Sequence, residues 1–123
     1  MLNNTFYTIR KRTDREGGVD YRVSLNASHV IYEAHFPDNP VTPGVCIIQM
    51  IKELVEAYRG TTLFLRTIKN VKFVKVIDPR IVSELTFALN VTIQDDGMIA
   101  VSGIVGEGDT VFSKINLLFE EMK

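Results

Sequence analysis

A length of 123 residues suits a single domain spanning 1–123 and leaves no room for two. The chain is 46% hydrophobic and 24% charged, which excludes disordered and collagen-like classes. With 14 basic and 15 acidic side chains the formal net charge is −1, so the overall balance gives no reason to expect a nucleic-acid partner.

In chain order, residues 5–11 read as a first strand, followed by Glu16-Gly17-Gly18 as the turn of a hairpin. The basic run from Arg10 to Arg15 has no interleaved aromatics and reads as a solvated strand end or turn. Residues 20–26 alternate, with Tyr21, Val23 and Leu25 on one face, as in a half-buried strand. Residues 28–42 carry too many prolines to be regular throughout, because each removes a donor and restricts its predecessor. A helix follows, with Thr42 as its N-cap and Pro43 in the first turn. Its apolar face holds Ile47, Ile48, Ile51, Leu54, Val55 and Tyr58; Gln49, Lys52, Glu53 and Glu56 lie opposite, and Gly60 ends it.

Strands return over 67–77, 84–93, 98–105 and 110–120. Asp95-Asp96-Gly97 and Gly106-Glu107-Gly108-Asp109 supply the turns between the last three. One long helix with two strands before it and four after it predicts an α+β architecture, the helix lying on one face of an antiparallel sheet.

One cysteine, Cys46, excludes an intramolecular disulfide and a polythiolate metal site. His29 and His35 are too few for a recognisable zinc motif. No apolar run has the length of a signal peptide core or a membrane span, so the cytoplasm is the expected location.

Chemistry concentrates in residues 35–49. His35 precedes a proline-braced loop that runs into a helix start. Histidine suits proton transfer near neutral pH. The helix start offers free N–H groups and a positive dipole end, and Gly44 allows a carbonyl to approach the backbone. A base, an oxyanion site and a rigid link between them match enolate chemistry beside a thioester carbonyl. A proline-stiffened loop that merely starts a helix fits the same spacing.

His35, Phe36, Pro37, Pro40, Pro43 and Gly44 match the His-Phe-Pro-Gly-x-Pro-x-x-Pro-Gly signature in spacing, with Asp38 in place of its first glycine. The segment resembles that of the 3-hydroxyacyl-acyl-carrier-protein dehydratases of bacterial fatty acid synthesis. Phe73, Lys75 and Pro79 match a further Phe-x-basic-x-x-x-Pro stretch. The resemblance implies a hot-dog fold, a sheet wrapped around a central helix, and a homodimer whose sheets join edge to edge with shared active sites. It implies His35 as the base that takes the substrate's α-proton, and the Gly44 N–H, with that of Val45, as the thioester carbonyl's anchor. Phe36, Pro43 and Lys75 would contact the substrate, which is carried by acyl carrier protein or coenzyme A. No metal or redox cofactor is implied, and neither a membrane nor a nucleic acid is an expected partner.

In the family an acidic residue stands five positions after the motif's last glycine. Here that position is Gln49. An amide orients a hydroxyl or a water but delivers no proton at ordinary pH. Three readings follow. His35 works alone, with Gln49 holding the leaving hydroxyl; or Glu53, Glu33 or Asp38 substitutes as the acid; or dehydration is lost and the chain binds acyl groups or serves as one half of a heterodimer. Thioester hydrolysis, with Gln49 positioning a water, is the alternative enzyme class. His29 is read as structural and Cys46 as a buried or interface thiol. Lys69 and Lys72 join Lys75 as candidates for a pantetheine phosphate or an acidic carrier surface.

Overall fold

Alternation of apolar and polar side chains over four extended segments, and pairing of two more, build a single antiparallel sheet. The computed structural model describes residues 1–34 and 38–122. Its strands are β1 (Tyr7–Arg15), β2 (Gly18–Leu25), β3 (Leu63–Phe73), β4 (Glu84–Ile93), β5 (Ile99–Glu107) and β6 (Thr110–Glu121). They lie in the order β1-β2-β4-β5-β6-β3. Helices α1 (Val30–Ala34) and α2 (Gly44–Arg59) lie between β2 and β3 in sequence.

One face of the sheet packs on α2. Leu85, Phe87 and Leu89 of β4, Ile99, Val101 and Val105 of β5, and Ile115, Leu117 and Phe119 of β6 are all buried. They enclose Ile47, Met50, Ile51, Leu54 and Val55 of α2. At Gly103 the helix and sheet approach closely, since a Cβ there would lie 3.5 Å from Ile51 Cδ1 and 3.1 Å from Leu89 Cδ2.

Several boundaries differ from the sequence expectations. β1 continues to Arg15 because Lys11 to Arg15 pair with Arg22 to Gly18, so the basic run is a paired strand. β3 begins at Leu63 and ends at Phe73, not at 77. Past Phe73 the chain leaves the ladder, with the Val74 and Lys75 N–H groups both donating to the Phe112 carbonyl at 2.8 and 3.2 Å. The segment expected to be irregular contains α1, whose Tyr32 is buried and stacks on Phe6 at a ring separation of 5.1 Å.

The N-cap of α2 is Pro43 rather than Thr42, and among the described residues no side chain caps it. The Thr42 hydroxyl is instead engaged with the Tyr32 hydroxyl at 2.9 Å. Gly60 ends the helix in the left-handed conformation, φ 69°, with its N–H donating to Glu56. Glu53, placed by its spacing on the polar face, is only 7% exposed. The sheet wraps a wider arc of the helix than its apolar stripe marks.

Gly18 opens β2 where no side chain fits, because a Cβ there would sit 2.1 Å from the Leu89 carbonyl oxygen. The neighbouring strand cannot yield without breaking the β2–β4 ladder. Gly18→Ala is therefore expected to cost about 2 kcal/mol, read as a lower urea midpoint. An unchanged midpoint would show that this strand start has slack.

Candidate functional site

The start of α2 faces the segment that follows β3. Between them lies a cleft of about 300 Å³ lined by Thr42, Pro43, Gly44, Ile47, Phe73 and Lys75, among others. A second hollow of about 490 Å³ shares Val41, Lys75 and Val76 with it and extends toward Ile81 and Phe112.

Two contacts hold the approach to the helix in place. The Thr42 N–H donates to the Ile77 carbonyl at 2.8 Å, tying the approach to the chain after β3. The Thr42–Tyr32 hydroxyl contact ties it to α1, which immediately precedes His35. Burial pushes the Tyr32 phenol up to about 12, so it stays protonated.

Gly44 and Val45 open α2, and among the described residues their N–H groups have no hydrogen-bond partner. Val45 is 75% exposed. Glycine at 44 serves a purpose that sequence reasoning did not reach. A Cβ there would lie 2.5 Å from the Phe73 ring, so Phe73 covers the face that was expected to admit a ligand. Lys75 lines both hollows, whereas Lys69 borders a separate depression on the outer sheet face with Asn90, Ser102 and Asn116.

His35 and Phe36, the proposed base and a substrate contact, lie outside the described residues, as does Pro37. Glu33 and Asp38, on either side of them, are exposed. His29 accepts the Ile31 N–H at Nδ1, 3.1 Å, and meets Phe6 edge-on at 5.3 Å, which is local structure. Cys46 is buried, and burial pushes its thiol up, against the thiolate that a helix start favours.

Gln49 is half-buried and donates from Nε2 to Glu53 Oε2 at 2.8 Å. Glu53 is the centre of a network not anticipated from sequence. It also accepts the Leu2 N–H at 2.9 Å, the Asn3 N–H at 2.8 Å and the Tyr7 hydroxyl at 3.1 Å. Burial raises the Glu53 pKa, but the donors from Leu2, Gln49, Asn3 and Tyr7 outweigh it and hold the group below the usual carboxylate range. A carboxylate whose oxygens already accept from four donors is poorly placed to give a proton to a ligand, which weighs against Glu53 as the substitute acid. A signal was present in the sequence: Glu53 follows Met50 by three residues and precedes Leu54 on the arc that becomes buried.

Among the described residues, no cluster of three or more His, Cys, Asp or Glu side chains is arranged to hold a metal ion. No described helix is long and apolar enough to cross a membrane.

A family model described as "ApeI-like: ApeI dehydratase" matches residues 10–102. Among curated proteins, the 3-hydroxyacyl-[acyl-carrier-protein] dehydratase FabZ of Thermoanaerobacter pseudethanolicus is 25% identical over 103 residues, 78% of this chain and 71% of that protein. The FabZ of Levilactobacillus brevis is 34% identical over 91 residues, 68% of this chain and 62% of the relative. Among solved structures, the dehydratase heterocomplex ApeI:P from Xenorhabdus doucetiae aligns with a TM-score of 0.68 at 16% identity, over 91% of this chain and 96% of that one. A hypothetical thioesterase with coenzyme A from Streptococcus pneumoniae aligns with a TM-score of 0.65 at 15% identity, over 94% and 85%. At such identities the likeness speaks for the fold, and the fold is the hot-dog: an antiparallel sheet around one long helix.

Proposed function

Because the chain belongs to the ApeI-like dehydratase family, we propose that it removes water from a 3-hydroxyacyl thioester, carried on acyl carrier protein or coenzyme A, in fatty acid or related lipid synthesis. The observation that carries this reading is the cleft at the start of α2. There Gly44 presents a backbone N–H without a partner among the described residues, beside a segment tied to both α1 and the end of β3. Tyr32, three positions before His35 in the chain, bonds Thr42, the residue two before Gly44.

In this reading the Gly44 and Val45 N–H groups hold the thioester oxygen, where charge develops as the α-proton leaves. His35 takes that proton and returns it to the departing hydroxyl. Gln49 positions the hydroxyl, Pro43 and Phe36 line the acyl path, and Lys75 meets the phosphate of the carrier arm.

Homodimerisation is supported by the contrast between the two sheet edges. β1 exposes Arg10, Lys11, Arg12 and Asp14, a charged edge of the kind that resists pairing. β3 exposes Phe64, Ile68 and Phe73, each about half accessible, beside an unpaired backbone. Pairing β3 with its copy would cover that edge and allow Gln49 of one subunit to serve the site of the other.

Incubation with a 3-hydroxyacyl carrier substrate tests the reaction class. Trans-2-enoyl thioester with no free thiol supports dehydration; thiol release without loss of water supports hydrolysis and overturns this reading. Gln49→Glu is expected to raise the dehydration rate about tenfold. The new carboxyl would lie against Glu53, whose charge favours keeping one proton on the pair, so an acid becomes available. No gain in turnover would place the hydroxyl away from residue 49.

A further inference from the structure

The two ends of a glutamine amide are not equivalent: the NH₂ end only donates and the carbonyl end only accepts. On a solvated helix surface either end can face a ligand. At Gln49 the choice is made by its neighbour, because Nε2 lies 2.8 Å from Glu53 Oε2. An ionised carboxylate has no proton to offer, so turning the amide over would set two oxygens against each other. Glu53 cannot swing away to relieve that contact. Its oxygens are bonded by the Leu2 and Asn3 N–H groups and by the buried Tyr7 hydroxyl, which fix it to the chain that leads into β1.

We infer that Glu53 is a positioning residue that holds Gln49 with its carbonyl oxygen outward, so that Gln49 accepts the proton of the substrate's 3-hydroxyl. The inference rests on the dehydration proposed above and assigns to Gln49 one of the two roles an amide can play. The Gln49 carbonyl oxygen makes no hydrogen bond among the described residues and is not among their fully buried, unpartnered atoms, which leaves it for that hydroxyl.

The chemistry explains why the orientation matters. The α-carbon proton passes to the His35 imidazole, and the C–H electron pair forms the new double bond as the C–O bond at the 3-position breaks. The imidazolium then gives its proton to the departing oxygen, which leaves as water, and the base is neutral again. A hydroxyl whose own proton is committed to Gln49 turns its lone pairs to the imidazolium. An outward NH₂ would compete for those lone pairs.

A double-mutant cycle on kcat tests this directly. Glu53→Gln is expected to lower kcat about tenfold, the effect of one mis-set hydrogen bond, with KM changed less than about twofold. In a Gln49→Leu background the same Glu53→Gln change is expected to cause no further loss, because Glu53 acts only through Gln49. Equal losses in both backgrounds would mean that Glu53 serves stability alone and would overturn the inference.

The side-chain amide of Gln49, identified in the NMR spectrum by its loss in Gln49→Leu, provides a readout independent of turnover. Its protons are expected to exchange slowly in the native chain and rapidly in Glu53→Gln. Equal exchange in the two proteins would also overturn the inference. A native chain that fails to dehydrate any 3-hydroxyacyl substrate but keeps a slowly exchanging amide would instead defeat the reaction class while leaving the Glu53 lock in place.

Discussion

His35→Ala is expected to lower the dehydration rate by about 10²–10⁴, the usual contribution of a positioned general acid–base group. In the proposed reaction His35 makes both proton transfers, with no second acid to share them, which places the loss at the upper end of that range. Glu53 cannot compensate, since its donors hold it ionised, and Glu33 and Asp38 are solvent-exposed. The melting temperature is expected to change little, because ties through Tyr32 and Thr42 hold the flanking chain. Rates from native and variant proteins on the same 3-hydroxyacyl carrier substrate, with thermal melts alongside, check both statements. A variant that retains native turnover would remove the imidazole from the mechanism.

Glu53→Ala is expected to destabilise the fold by about 3 kcal/mol, because it strands the buried Tyr7 hydroxyl and frees the chain at Leu2 and Asn3. For a domain of this size that corresponds to a fall in Tm of roughly 10 °C. The pH dependence has a definite sign. The folded-state pKa of Glu53 lies below its ordinary value, so its stabilisation is present above the unfolded carboxylate pKa of about 4.3 and fades as pH falls through the lower folded value. The native protein is therefore expected to lose stability toward acid more steeply than Glu53→Ala. Urea midpoints for both proteins between neutral pH and acid measure the difference. Parallel curves would show that the Glu53 carboxylate contributes nothing on folding.

Much of this molecule was legible in its one-dimensional pattern. Residues 84–93 alternate so regularly that their expected range coincides with β4, and its inward residues Leu85, Phe87 and Leu89 are fully buried. The alternation overreached at the far end, where Ile93 is 53% exposed. The apolar spacing from Ile47 to Val55 located α2, and Gly60 stopped it as expected. The segment from His35 to Gly44 drew the proposed chemistry by its residue types, and the family follows from the match over residues 10–102.

Other features depend on contacts between residues distant in sequence, which local patterning does not encode. Nothing near Gly44 announces that the ring of Phe73 will cover it, and nothing near Thr42 announces that its hydroxyl will bond Tyr32 rather than cap a helix. The donors that make the burial of Glu53 tolerable have the same origin. Helical periodicity reports the stripe that a helix needs buried, whereas a sheet that curls around it buries adjacent positions as well. A carboxylate tolerates that burial only when donors converge on it, and here they come from the other end of the domain, at Leu2, Asn3 and Tyr7. Composition and spacing thus determined the class of fold and the stretch on which the proposed chemistry rests. Which end of the Gln49 amide faces outward was decided only when the chain closed on itself, because that depends on a hydrogen-bond partner that folding alone ties in place.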